Sequence, residues 1–177
     1  GIPCRDVVSW NMLIAQYTSQ NGLSGRAFEC FNRMQSAEGI SPNPITFVCI
    51  LKACVGLGLI NVCKRVHLWV IWSGFLPKHI VLGTALVDMY VKCSMMDDAE
   101  EVFHRLPERN VVTWSTLIGG YARVGLGDIA LKYFRLMRDE GNSPNVVTFT
   151  CALKACGSIG SLKLGEDIHA VVKDQGL

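Results

Sequence analysis

The chain repeats parts of its own sequence at a long interval, and this repetition constrains its fold more than any other feature. The tetrapeptide Leu-Lys-Ala-Cys occupies residues 51–54 and occurs again at residues 153–156. A shorter interval lies inside the long one, because residues 85–90 resemble residues 116–121. Repetition at intervals of roughly 20 to 50 residues is typical of proteins built from stacked small units. The sequence therefore predicts a repeat array rather than a single globular core.

Each repeated unit has the pattern of two helices joined by a turn. In residues 111–145, apolar residues recur at helical spacing from Val112 to Tyr121. Gly125 and Gly127 are expected to break this first helix, after which a second apolar stripe resumes until a further glycine closes the unit. The pattern predicts a helical hairpin.

Glycines punctuate the other units in a similar way. The Asn-Gly pair at residues 21–22 marks the expected turn of the first unit, and Gly56 with Gly58 marks that of the second. Five hairpins result, of which the last is incomplete. A unit of this size cannot bury a core alone, so the hairpins must stack on their neighbours. We therefore expect an all-α solenoid of helix-turn-helix repeats.

The eight cysteines are spaced for packing rather than for metal binding. No pair has the Cys-x-x-Cys spacing that is common among zinc ligands. Cys49 and Cys54 recur instead at equivalent positions, as Cys151 and Cys156. This equivalence predicts structural thiols in a reducing compartment, with no metal and no cofactor.

Two histidines, His67 and His169, are also equivalent within the repeat. A catalytic role competes with a structural one, and their shared phase favours packed structural residues in second helices. The apolar run around His67, residues 66–72, is too short to span a membrane, and no apolar run reaches the roughly 18 residues that a span needs. We expect neither a membrane partner nor a small-molecule substrate.

Residues 7–43 resemble a plant pentatricopeptide repeat. The resemblance is carried by Val-Val-Ser-Trp-Asn at residues 7–11 and Gly-Ile-Ser-Pro-Asn at residues 39–43. Later segments resemble the long and short variant repeats of the family's PLS subclass. The expected series is an ordinary repeat at 7–43, a long repeat at 44–79, a short repeat at 80–110, an ordinary repeat at 111–145 and a partial long repeat at 146–177.

Characteristic segments support each assignment to a variant repeat. The long repeat contains Thr-Phe at 46–47, Leu-Lys-Ala-Cys at 51–54 and Val-His at 66–67. The short repeat contains Ala-Leu-Val-Asp-Met-Tyr at 85–90 and Leu-Pro-Glu-Arg at 106–109. Lengths, order and motifs agree along nearly the whole chain.

The resemblance implies a right-handed α–α superhelix that binds single-stranded RNA, with successive repeats addressing successive bases. In the family, base identity is read by the fifth and the last residue of a repeat. The fifth residues with this implied role are Asn11, Thr84 and Ser115, and the last residues are Asn43, Asn110 and Asn145. These asparagines have a competing interpretation as turn or capping residues, and both roles can coexist.

An asparagine in the last position favours some bases for a chemical reason. Its amide can donate to N3 of cytosine or N1 of adenine, whereas uracil and guanine carry a hydrogen there. By the family's code, Asn11 with Asn43 favours cytosine, with uracil second, and the other two pairs favour adenine. Val48 lacks hydrogen-bonding atoms and its repeat ends at His79, so that repeat is assigned no base. The expected preference from 5′ to 3′ is C or U, any base, A, A.

The second residue of each repeat is apolar, and the resemblance implies that it is a wedge between neighbouring bases. These base-sandwiching residues are Val8, Ile45, Val81, Val112 and Val147. The competing interpretation is that they are ordinary core residues.

A tetratricopeptide-like scaffold that binds proteins is the alternative to RNA binding. Its Trp-x-x-Leu-Gly signature is absent, and the unequal repeat lengths weigh against it. The net charge of +2 is modest for an RNA-binding protein. Phosphate contacts would come from local cations near the ends of first helices, such as Lys52, Lys92, Arg123 and Lys154.

An enzymatic role is the third hypothesis, because PLS-type proteins often carry a deaminase domain that edits organellar RNA. A zinc deaminase needs His-x-Glu followed by Pro-Cys-x-x-Cys, and the chain has neither. We expect no enzyme here, since any deaminase domain would lie outside this chain. The resemblance implies guidance of RNA editing or processing in a mitochondrion or chloroplast, with RNA and editing-complex proteins as partners.

Overall fold

In the computed structural model, which describes residues 6–20, 22–36, 39–58, 60–174 and 176, the regular secondary structure is entirely helical. The helices within these ranges are α1 (Val7–Ser19), α2 (Ser24–Ser36), α3 (Pro44–Leu57), α4 (Ile60–Trp72), α5 (Ile80–Lys92), α6 (Met96–Arg105), α7 (Val111–Arg123), α8 (Gly127–Asp139), α9 (Val146–Ser158) and α10 (Leu162–Asp174). A short 3-10 turn, Leu76–Lys78, precedes α5. The odd-numbered helices begin at the first residues of the five predicted repeats.

Polar caps explain where several of these helices start. Asp6 caps α1, and its carboxylate accepts a hydrogen bond from the Ser9 backbone N–H at 2.8 Å. Asn43, Asn110 and Asn145 cap α3, α7 and α9 in the same way. A side-chain acceptor satisfies one of the backbone N–H groups that the first turn of a helix leaves without a partner.

The chain divides into two compact units, Gly1–Met89 and Tyr90–Leu177. In unit 1, α1 packs against both α2 and α3, which also pack against each other. Phe31 of α2 lies at the centre of an aromatic cluster, with ring centroids 6.2 Å from Phe47 and 5.4 Å from Trp69. The hairpins of unit 1 therefore share one apolar interior.

Unit 2 repeats this arrangement with α7, α8 and α9. Its core includes Trp114 and Phe103, whose rings meet edge to face at a centroid distance of 4.7 Å. Tyr121 and Tyr133 stack nearly parallel at 5.6 Å, and both hydroxyls donate hydrogen bonds to the Glu100 carboxylate.

Glu100 and the two tyrosines shift one another's pKa values. Burial tends to raise the pKa of Glu100, but hydrogen bonds from both tyrosines and the charges of His104 and Lys132 outweigh it, so the pKa is lowered. Burial and the Glu100 carboxylate raise the pKa of each tyrosine. Glu100 is therefore an ionised acceptor for two neutral phenols at neutral pH.

Two glycines do not break helices as predicted. Gly56 lies inside α3, and Gly127 is the first residue of α8. The turns are made instead by Gly58 and Gly125, which have positive φ angles of 62° and 82°. The missing Cβ serves packing at Gly56 and Gly127, since an added Cβ would overlap neighbouring atoms at both positions. Gly22 also has a positive φ, whereas its predicted partner Asn21 lies outside the described residues.

Three of the recurring cysteines, Cys49, Cys151 and Cys156, carry free thiols. Burial raises the pKa values of Cys49 and Cys151, which disfavours the reactive thiolate. The prediction that both recurring histidines are packed is wrong for His169, which is exposed in α10, whereas His67 is half-buried. Within the described ranges no cluster of three candidate metal ligands forms, and no helix has the length and hydropathy of a membrane span.

Candidate nucleic-acid interface

The second residue of every predicted repeat is apolar and exposed. These five side chains have between 53% and 66% of their surface accessible: Val8, Ile45, Val81, Val112 and Val147. The alternative that they are core residues is therefore excluded. Each lies in the first turn of a first helix. Exposed apolar side chains in this repeated position can pack against flat faces such as those of bases.

The last residue of three repeats is an asparagine that caps the next helix, and capping fixes the orientation of its side-chain amide. The Oδ1 atoms of Asn43, Asn110 and Asn145 accept backbone N–H groups at 3.0, 2.9 and 2.9 Å, respectively. A backbone N–H can only donate, so each amide must turn its oxygen toward the helix. The Nδ2 group then points away from the cap. Capping thus leaves a hydrogen-bond donor at the end of each repeat, and the two interpretations of these asparagines are compatible.

In unit 1, the structure brings the predicted base-reading pair into direct contact. Asn11 Nδ2 donates to Asn43 Oδ1 at 3.1 Å. Asn11 Oδ1 accepts from the Thr46 hydroxyl at 2.6 Å. Asn11 is only 7% exposed, and Thr46 is fully buried. We call Asn11, Asn43 and Thr46 the asparagine cluster.

In unit 2, the corresponding residues form a second cluster with a serine in place of Asn11. Ser115 and Thr148 share a hydrogen bond of 2.6 Å, and the Thr148 hydroxyl lies 2.9 Å from Asn145 Oδ1. Ser115 also donates to the Val111 carbonyl at 2.7 Å and is 6% exposed. Thr148, like Thr46, is fully buried. We call Ser115, Asn145 and Thr148 the serine cluster.

The third predicted pair is divided between the two units. Thr84 is half-buried in α5, within unit 1. Asn110 lies in unit 2, where its Oδ1 atom also accepts the Thr113 hydroxyl at 3.0 Å. Both residues retain the predicted role as a hypothesis.

The predicted long repeat in unit 1 presents an apolar groove between α3 and α5. Its lining includes the two wedges Ile45 and Val81, together with Val48 and His79. The His79 ring meets the Phe75 ring edge to face at 5.7 Å. Its lining residues include no side-chain amide, in contrast to the two clusters.

The predicted site residues do not include the third residue of the repeats, which is a threonine in three of them. Thr46, Thr113 and Thr148 each follow a last-position asparagine by three residues, and each is fully buried. Their side chains hydrogen-bond to that asparagine. The recurrence of Asn-x-x-Thr was visible in the sequence, and it resembles the spacing of a capping box. The tertiary contacts to Asn11 and Ser115 could not be read from it.

The cations proposed for phosphate contact differ in their environments. Lys52 and Lys154 occupy equivalent exposed positions on α3 and α9. Arg123 has its guanidinium hydrogen-bonded to the Val91 carbonyl, so part of its donor capacity is already used. Lys52 and Lys154 are therefore better placed than Arg123 for contacts with phosphate.

The fold and this face define a class of protein: an array of helical hairpins with exposed wedges and directed amides on its first helices. A family model described as "PPR repeat family" matches residues 5–56 and 109–158, and a "PPR repeat" model matches residues 84–111. The chain belongs to the pentatricopeptide repeat family, as its sequence predicted.

Curated relatives from Arabidopsis thaliana align with almost the whole chain. Pentatricopeptide repeat-containing protein At4g30700 is 42% identical, over 94% of this chain and 21% of its own length. The chloroplastic protein At1g11290 is 40% identical, over 99% of this chain and 21% of its own length. The mitochondrial protein At2g03880 is 38% identical, over 90% of this chain and 25% of its own length. The chain thus spans about a fifth to a quarter of these relatives. Two of them are named as chloroplastic or mitochondrial, in agreement with an organellar location.

Solved structures confirm the fold class. The pentatricopeptide repeat protein PPR10, in complex with an 18-nt psaJ RNA element, matches 96% of this chain and 26% of its own chain. The TM-score is 0.77 at 19% sequence identity. PPR10 from maize matches 98% of this chain with a TM-score of 0.73 at 19% identity. The predicted all-α superhelix of helix-turn-helix repeats is therefore correct.

Proposed function

We propose that this chain binds single-stranded RNA in a sequence-specific manner and guides the editing or processing of an organellar transcript. The observation that carries the proposal is the shared exposure of the five apolar wedges. An exposed apolar side chain at one fixed position of every repeat has no packing role within the chain. Stacking against bases gives it one.

The polar groups beside the wedges support base recognition. Asn43 and Asn145 each keep an amide donor that faces away from the helix they cap. Such a donor matches the bare ring nitrogen of cytosine or adenine and opposes the N–H of uracil or guanine. The proposed preference from 5′ to 3′ remains C or U, any base, A, A.

The helix lengths support the PLS assignment. The second helix of the proposed short repeat, α6, is shorter than α2, α4 and α8. The proposed long repeat ends in an additional 3-10 turn, Leu76–Lys78. In this assignment the long repeats are uncoded spacers between repeats that read bases. Relatives named as mitochondrial or chloroplastic support one of these two organelles as the site of action.

The chain acts in this proposal by positioning RNA, and catalysis belongs to another domain or to a partner of an editing complex. Two RNA-binding measurements test it. Affinity should fall as salt rises, because phosphate contacts release counterions. Changing either proposed adenine to guanine should weaken binding by about tenfold. Binding that is indifferent to both changes would favour the alternative, a scaffold that binds proteins.

A matched pair of valines tests the wedges directly. Val146 and Val147 are neighbours at the start of α9 and are 57% and 58% exposed, respectively. Only Val147 is in the wedge position. Val147→Ser should weaken RNA binding by about fivefold, in line with the loss of stacking on one base. Val146→Ser, the control, should leave affinity unchanged. Equal effects of both substitutions would refute the proposed wedge.

A further inference from the structure

The two clusters differ in the hydrogen-bonding group that the fifth residue can offer to a base. In the asparagine cluster, Thr46 donates to Asn11 Oδ1 at 2.6 Å, and one Asn11 N–H is used by Asn43. The oxygen is therefore occupied, and the group that remains is the second N–H of Asn11. Asn11 and Asn43 together offer two donors.

Two adjacent donors suit a pyrimidine. Cytosine carries the acceptors N3 and O2 side by side, and uracil shares O2. Adenine has a C–H group next to its N1 acceptor, so the second donor would be left without a partner. The cost of an unpaired polar group is what allows a hydrogen-bonding site to reject the wrong ligand. The orientation of the Asn11 amide thus decides whether the first repeat selects a pyrimidine.

On this basis, which rests on the proposed function, we infer that Thr46 is a positioning residue for base selection. Its buried hydroxyl holds the Asn11 amide in the orientation that turns N–H toward the base. Without that hydroxyl the Asn11 amide keeps one anchor, its bond to Asn43 Oδ1. An amide held by one hydrogen bond instead of two leaves its orientation more often, and in other orientations Asn11 Oδ1 can face the base. An acceptor at that place no longer matches O2.

The serine cluster provides a matched control for Thr46. Thr148 has the same burial and the same bonds to its cap asparagine as Thr46. Ser115, however, has its own anchor, because its hydroxyl donates to the Val111 carbonyl at 2.7 Å. With its hydrogen directed to Val111, Ser115 presents an acceptor oxygen whether or not Thr148 is present. That oxygen tolerates the C–H group of adenine and opposes O2 of cytosine. Removing the hydroxyl of Thr148 should therefore change base choice much less than removing that of Thr46.

The experiment compares affinities of the chain for short RNAs that differ at one base. Thr46→Val should reduce the preference for cytosine over adenine at the first repeat by about tenfold. Thr46→Ser keeps a hydroxyl and should retain the preference. Thr148→Val should change the preference for adenine over cytosine at the fourth repeat by less than about threefold. A merely structural threonine would lower affinity for all bases equally, or would make Thr46→Val and Thr148→Val equivalent, and either result would overturn the inference.

Hydrogen exchange of the Asn11 side-chain amide gives a second measurement, which does not require Thr46→Val to fold. In the unaltered chain and in Thr46→Ser, an Asn11 Nδ2 hydrogen should exchange with solvent more slowly than that of exposed Asn32. Equal exchange would show that the amide is not held, and the inference would be wrong. If the unaltered chain has no base preference at the first repeat, the proposed function itself fails and this inference fails with it. A preference that Thr46→Val leaves intact overturns the inference alone.

Discussion

Units 1 and 2 contain an equivalent contact between two helices. A serine meets a glycine in both units, but the two residues have exchanged places. In unit 1, Ser24 at the start of α2 lies against Gly56 of α3. In unit 2, Gly127 at the start of α8 lies against Ser158 of α9. Gly56 and Ser158 are equivalent in the repeat, as are Ser24 and Gly127. The contact therefore needs a missing Cβ on one side, and either helix can provide it.

The two glycines differ in the atoms that an added Cβ would meet. A Cβ on Gly56 would overlap the Ser24 side chain, which can rotate. A Cβ on Gly127 would also lie 2.6 Å from the Ala155 carbonyl oxygen, which belongs to the backbone of α9. Unit 2 therefore depends more strictly on its glycine than unit 1 does.

The largest expected effect is the loss of stability when a substitution disrupts the helix contact of unit 2. Gly127→Ala should lower the free energy of unfolding by about 3 kcal/mol, because the helix backbone has to move. Gly56→Ala should cost about 1 kcal/mol, because a side chain can move instead. Chemical denaturation with hydrogen exchange of the α8 and α9 amides measures both. Gly157→Ala is the control, since its added Cβ meets open space and alanine favours a helix. A smaller loss for Gly127→Ala than for Gly56→Ala would contradict the comparison.

The next largest effect is a change of base preference at the cap asparagines, one of which lies in each cluster. Asn145→Asp keeps the capping oxygen but replaces the amide donor with an acceptor, so the fourth repeat should shift from adenine toward guanine. We expect the ratio of the two affinities to change by about thirtyfold. Asn142→Asp adds the same charge in the preceding loop and should not change the ratio. The stability of α9 should be maintained, because aspartate also caps helices.

A smaller effect on stability tests whether serine and glycine can exchange places within this contact. Gly56→Ser places two serines in the unit 1 contact and should cost about 1.5 kcal/mol. Adding Ser24→Gly restores one glycine in the arrangement that unit 2 uses, and most of the lost stability should return. Thermal unfolding of the single and double variants measures the coupling. Additive losses would mean that the two residues do not share a contact.

The smallest expected effect is a pH dependence of the stability of unit 2, which arises from Glu100. Glu100 has a lowered pKa in unit 2, so its contribution is complete at neutral pH and is lost as the pH falls through the folded-state pKa. Glu100→Gln should therefore destabilise unit 2 near neutral pH and make its stability less sensitive to acid. Hydrogen exchange at several acidic pH values should detect this in α6 to α8. Glu101, which pairs with Arg105 at 2.7 Å in a solvent-exposed bridge, provides the control Glu101→Gln.

The fold class and the family could both be predicted from the sequence. Periodic apolar residues and recurring motifs are local signals, and they do not require knowledge of which helices meet. The resemblance to the family indicated the wedges and the shared last position of Asn43, Asn110 and Asn145. The capping role of these asparagines followed from the known preference of asparagine for helix starts.

The groups that face one another became evident from the packing of the helices. Gly56 and Gly127 looked like helix breakers, because a sequence cannot show that a neighbouring helix occupies the space of a Cβ. His169 was expected to be packed, yet it is exposed although its equivalent His67 is half-buried. The same limit applies to Thr46, whose hydroxyl fixes the Asn11 amide from the following repeat. Hydrogen-bond direction depends on the orientation of partners that are distant in sequence, and that orientation is set by how the helices pack.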